Sequence, residues 1–127
     1  MKKTTTVIGA ILVWTAIILG AFGAHFLKSH LSNDQLLSIE TGIRYQLFQG
    51  LAIIVLSLNT EKIKFSMEKI LYCMIIGTLL FSLSIYLLVL LNSFGLRISI
   101  LGLITPIGGS VLIGSWIYFT FCLIRKS

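Results

Sequence analysis

Charge is scarce in this sequence: ten Lys or Arg and four Asp or Glu among 127 residues, 11% where soluble domains average about a quarter. With 57% apolar residues and a mean hydropathy of +1.02, the chain lacks the polar side chains to cover a water-facing surface, which excludes a soluble globule. Proline occurs once and no Ser-, Pro- or Gln-rich tract is present, which excludes a disordered chain. Two cysteines, Cys73 and Cys122, stand 49 positions apart, which excludes a disulfide scaffold and a Cys-rich metal module. There is no phosphate loop, dinucleotide fingerprint or HExxH motif, and no residue set identifies a reaction.

What the chain does have is long stretches free of charge. Between Lys3 and Lys28 lie 24 uncharged residues, between Arg44 and Glu61 16, between Lys69 and Arg97 27, and between Arg97 and Arg125 another 27. A helix rising about 1.5 Å per residue needs roughly 20 residues to cross the hydrocarbon, so four spans are expected near 5–27, 41–59, 70–91 and 98–124. The runs are apolar on every side, which does not fit the alternating pattern of a spanning β-barrel. The fold class expected is therefore all-α, an integral membrane four-helix bundle forming a single transmembrane domain over 1–127. The second run is short, so this span takes Arg44, with Glu40 near it, towards the membrane at one end, or runs into Asn59 and Thr60 at the other, or both. The apolar run ending Ala21-Phe22-Gly23 also resembles a signal peptide, but its length from Val7 to Gly23 favours a retained first span.

Basic residues set the orientation. With Lys2 inside, Lys2, Lys3, Lys62, Lys64, Lys69, Arg125 and Lys126 flank the spans on the inner side, against Lys28, Arg44 and Arg97 outside. Seven to three predicts both termini in the cytoplasm. The net charge of +6 then reflects a bilayer partner and not nucleic acid. Cys73 and Cys122 fall near cytoplasmic helix ends and are read as reduced packing residues.

Several features inside the spans carry more specific expectations. Ala16, Gly20 and Ala24, spaced by four, with Gly23 beside them, form a small-residue stripe suited to close helix packing. Trp14, well inside the same span, is expected to pack. Ser32 and Gln35 have capping-box spacing with Asp34 in the first turn, which predicts that the second helix begins near Ser32 as an amphipathic segment. On it, Glu40, Thr41, Arg44, Tyr45, Phe48, Gln49 and Ala52 fall within one half of the helical wheel. Two readings of Glu40 and Arg44 stay open: Arg44 reaches the outer headgroups while Glu40 solvates it, or the pair is partly buried and organises a polar pocket. In the fourth span Pro106 predicts a kink, with Thr105 able to satisfy freed backbone and Gly108 and Gly109 next to it as packing positions. At a common depth, His25, Glu40, Arg44, Tyr45, Gln49, Tyr86 and Thr105 form a candidate polar cluster in the outer half, with Ser82 and Ser84 a turn deeper.

The runs Gly20-Ala21-Phe22-Gly23-Ala24-His25, Glu40-Thr41-Gly42-Ile43-Arg44-Tyr45-Gln46, Phe81-Ser82 with Ser84 and Tyr86, and Ile104-Thr105-Pro106-Ile107-Gly108-Gly109 resemble the signature segments of uncharacterised protein family 0382, also called domain of unknown function 423. The resemblance covers most of the chain. It implies a small multispanning protein of the bacterial cytoplasmic membrane and brings no activity or cofactor with it. Family members often carry His where this chain has Gln49, and Gly where it has Leu83.

Three functions compete. The first is a non-enzymatic structural or accessory component of the cell membrane, self-associating or assisting a membrane-protein partner. The second is a small, dimeric transporter or channel with its site in the polar outer half; the small multidrug exporters of this size, however, rely on a carboxylate within a span, and Glu40 lies near the surface. The third is an intramembrane enzyme or redox protein. Haem ligation needs two facing histidines at one depth, and His25 and His30 both sit at the outer edge. No cofactor and no metal site is expected, and the first function is preferred.

Overall fold

The computed structural model describes residues 2–126, with side chains for all of them except Ala24. Its four long helices are α1 (Lys2–Leu27), α2 (Asn33–Leu58), α3 (Glu68–Ser93) and α4 (Ser99–Lys126), each long and apolar enough to cross a membrane. A short 3-10 turn at Thr60–Lys62 lies in the α2–α3 connection. Among the described residues there is no strand. The chain is an all-α, multi-pass membrane bundle, and each of its four helices carries most of one charge-free run, α2 starting at Asn33, well ahead of its run.

Neighbouring helices run antiparallel. Thr5 and Leu12 of α1 meet Ser57 and Gln46 of α2. Gln46 meets Tyr86 of α3, and Ser84 of α3 meets Thr105 of α4. Lys2, the Thr60–Lys62 turn and Lys126 therefore share one end, the lysine end; the α1–α2 and α3–α4 connections share the other, the loop end. At the lysine end Lys2 Nζ lies 3.3 Å from Glu61 Oε1, an exposed pair.

The apolar core sits towards the lysine end. Leu12, Ile53, Met67, Ile70, Leu71, Met74 and Ile75 are buried together, and Trp116 and Phe119 of α4 pack against them. Where lipid removes the hydrophobic drive, helix contact depends on close fit, and glycines supply it. A Cβ on Gly9 would lie 2.8 Å from Ile54 Cγ1 and 3.0 Å from the Gly50 carbonyl oxygen, so α1 and α2 meet through Gly9 and Gly50. Gly108 sits against the α3 main chain, where a Cβ would collide with Phe81 N and lie 2.9 Å from the Leu80 carbonyl carbon.

The second helix begins as its sequence predicts. Ser32 Oγ accepts from Gln35 N at 3.2 Å and Gln35 Oε1 accepts from Ser32 N at 3.0 Å, a complete capping box.

The first helix differs from expectation. Its buried face is Thr5, Gly9, Leu12 and Ala16, after which a π turn spans Leu19–Gly23. A π turn accommodates an extra residue and rotates the remainder of the helix by about 100°, so spacing by four no longer keeps one face. Ala16 is buried, Gly23 is half-buried and Gly20 is exposed, while the Ala24 side chain lies outside the described residues. Trp14 is 53% exposed, because it stands two residues, roughly 200°, from buried Leu12.

In α4 the helix runs unbroken through Pro106 from Ser99 to Lys126. Pro106 is exposed, Gly108 buried and Gly109 half-buried. Cys122 is buried and Cys73 exposed, and both are free thiols.

Candidate functional site

Gln46 is the centre of the polar structure inside the bundle. The α2 face carrying Ile39, Gly42, Gln46, Gly50, Ile53 and Ser57 is buried against α1 and α3. Gln46 is 5% exposed, and its Nε2 donates to the Leu12 carbonyl at 3.0 Å and to Thr15 Oγ1 at 2.7 Å. Thr15 in turn donates to the Ile11 carbonyl at 2.6 Å, which leaves its lone pairs for the amide. From the other side Tyr86 Oη donates to Gln46 Oε1 at 2.7 Å. One carboxamide thus joins α1, α2 and α3, with both donors and its oxygen engaged.

Gly42 makes this geometry possible. A Cβ there would lie 2.7 Å from Tyr86 Cε1, so only a bare backbone lets the ring lie across α2 and reach Gln46. One turn deeper, Ser82 Oγ donates to the Gly42 carbonyl at 2.8 Å.

Further ties bring in the last helix. Ser84 Oγ and Thr105 Oγ1 are 2.5 Å apart. Ser84 Oγ also lies 2.9 Å from the Phe81 carbonyl oxygen, to which it can donate. Trp116 Nε1 donates to Gln49 Oε1 at 3.1 Å across α4 and α2. Towards the lysine end Ser57 Oγ lies 2.8 Å from Thr5 Oγ1. Among the described residues no buried side-chain nitrogen or oxygen lacks a partner.

The residues singled out in the sequence are thus distributed over several contacts. Tyr86 joins Gln46, Thr105 joins Ser84, Gln49 joins Trp116, and Tyr45 packs edge-on against Phe81 with ring centroids 4.9 Å apart. His25, Glu40 and Arg44 are exposed, and among the described residues the ion pair is Lys2–Glu61, not Glu40–Arg44. Gln46 was missed, although a signal existed: Gly42, Gln46 and Gly50 repeat small or amide side chains every four residues, a packing seam next to the polar arc. Among the described residues no three His, Cys, Asp or Glu side chains gather as metal ligands would.

Two clefts flank these ties. One of about 570 Å³ opens at the loop end between α2, α3 and α4, with Asp34 and Thr105 on its walls. The other, about 410 Å³, lies between α2 and α4 beside Tyr45, Gln49 and Trp116 and is otherwise mostly apolar.

Comparison with known proteins places the chain. A family model described as "Protein of unknown function (DUF423)" matches residues 19–109. UPF0382 membrane protein YwdK of Bacillus subtilis is 34% identical over 125 residues, covering 97% of this chain and 98% of that protein. A UPF0382 membrane protein of Staphylococcus haemolyticus is 32% identical over 91% of this chain and 90% of its own length. One from Haemophilus influenzae is 31% identical over 95% and 94%. No solved structure matches. The matched segment contains the Gln46–Tyr86 bond and the Ser84–Thr105 bond, and the chain belongs to the DUF423 family of UPF0382 membrane proteins.

Proposed function

We propose that this protein is a non-enzymatic structural or accessory component of the bacterial cell membrane, with both chain termini in the cytoplasm. It acts within the lipid bilayer, alone, as copies of itself or beside another membrane protein. The observation that carries this reading is the use of the polar groups at membrane depth: Gln46, Tyr86, Ser82, Ser84, Thr105 and Gln49 hydrogen-bond between helices. A polar group in hydrocarbon costs several kcal/mol unless it is bonded, so groups bonded to each other hold helices together and leave little free to bind a solute. The cytoplasmic termini rest on the seven basic residues of the lysine end against Lys28, Arg44 and Arg97 at the loop end.

Deletion of the protein is expected to weaken the cell envelope against detergent or osmotic stress without altering uptake or efflux of any one solute. Purified protein that moves a defined solute across liposomes would overturn the proposal. The loop-end cleft of about 570 Å³ favours a second reading, a small dimeric transporter or channel, which the same liposome measurement decides.

A further inference from the structure

The loop-end cleft has two unlike walls. Along α2, Asp34, Ser38 and Thr41 recur at helical intervals and line it together. Ser38 Oγ donates to the Asp34 carbonyl at 3.1 Å, and Thr41 Oγ1 donates to the Leu37 carbonyl at 3.0 Å. Across the cleft Thr105 Oγ1 shares a hydrogen bond with Ser84 Oγ. A hydroxyl has one proton, and in Ser38 and Thr41 it is committed to the helix's own carbonyls, so these two turn only lone pairs to the cleft. The exposed Asp34 carboxylate adds a negative charge and forms no ion pair among the described residues. The α2 wall thus offers the Asp34 carboxylate and the Ser38 and Thr41 lone pairs as acceptors, with the Gln35 amide, whose Oε1 is taken by Ser32 N, as the one donor beside them.

The α3 wall is mostly apolar, formed by Phe81, Ile85, Leu88 and Val89 with the Asn92 amide at its loop end. Gly102 borders this open space, a Cβ there meeting nothing within 4 Å. The cleft lies beside the α2 N-terminus, at the end of the bundle where lipid headgroups meet the helices. Its volume of about 570 Å³ is that of a small-molecule site.

We propose that this cleft holds one lipid whose headgroup ends in a primary ammonium, with the ammonium at Asp34 and Ser38 and an acyl chain along Phe81, Ile85 and Leu88. A primary ammonium brings a positive charge and three donors to the acceptors of the α2 wall. A trimethylammonium head has the charge but no N–H, and a phosphoglycerol head places net negative charge against Asp34. The inference stands apart from the structural role proposed above, because lipid retention and solute flux are read in different experiments.

The test is native mass spectrometry of the full chain released from nanodiscs of equimolar dioleoyl phosphatidylethanolamine, phosphatidylcholine and phosphatidylglycerol. One phosphatidylethanolamine is expected to be retained about tenfold over phosphatidylcholine, the ratio that one charged hydrogen bond supports. Asp34→Asn removes the preference, Asp34→Glu keeps it, and Gly102→Phe lowers retention of all three lipids by filling the space. Equal retention of the ethanolamine and choline lipids by the unaltered protein overturns the proposal, as does a preference for phosphatidylglycerol. So does an Asp34→Asn variant with unchanged preference. The comparison on the unaltered protein decides the matter even if a variant folds poorly.

Discussion

Replacing Gly108 with alanine sets a methyl group against the main chain of α3. An ideal Cβ lies 2.9 Å from both the Leu80 carbonyl carbon and Phe81 Cα, and closer still to Phe81 N. Two effects oppose one another. Alanine gains about 1 kcal/mol over glycine in helix propensity. Overpacking costs about 1–3 kcal/mol, and the upper end applies here because the obstacle is backbone, which cannot rotate aside as a side chain does. The net expectation is a loss of about 2 kcal/mol. Gly114, in the same helix, has nothing within 4 Å of its Cβ position, so Gly114→Ala isolates the propensity gain. Reversible unfolding by sodium dodecyl sulfate in mixed micelles, followed by tryptophan fluorescence, should place Gly108→Ala about 3 kcal/mol below Gly114→Ala. Equal stabilities would refute the close approach of α3 and α4 at this level.

Gln49→Leu removes the acceptor of the Trp116 indole and should lower stability by about 0.6–1.7 kcal/mol, with a shift in Trp116 emission on a Trp14→Phe background. Glu40→Gln and Arg44→Gln, at exposed positions without a mutual ion pair, should each change unfolding by less than about 0.5 kcal/mol; a much larger loss would mean that the pair organises the fold. Ser32→Ala opens the capping box and should cost about 1 kcal/mol, read as faster amide exchange over the first turn of α2.

The helices were legible because exclusion of charge from hydrocarbon acts along one dimension, and four charge-free runs leave few other arrangements. The start of α2 was equally legible, since Ser32 and Gln35 satisfy each other locally. Which face of each helix turns inward was harder to read. In a soluble protein apolar periodicity marks the buried side, but here nearly every face is apolar and lipid accepts any of them. The polar arc of α2 centred on Arg44 and Tyr45 lies largely outward, and the inward seam is Gly42, Gln46 and Gly50. Tyr86 and Thr105 were recognisable as polar residues at the right depth, but their partners, Gln46 and Ser84, depend on how α3 sits between its neighbours. The π turn at Leu19–Gly23 has no local sequence signature apart from its two glycines, and it displaces Gly20 from the face continued by Ala16.

The central claim is that polar side chains within the membrane serve as ties between helices. A double-mutant cycle on Gln46→Leu and Tyr86→Phe, read by the same unfolding in mixed micelles, tests it most directly because the two groups meet at 2.7 Å across α2 and α3. A coupling energy of about 1 kcal/mol is expected, within the range measured for hydrogen bonds between membrane helices. Strict additivity of the two substitutions would contradict it.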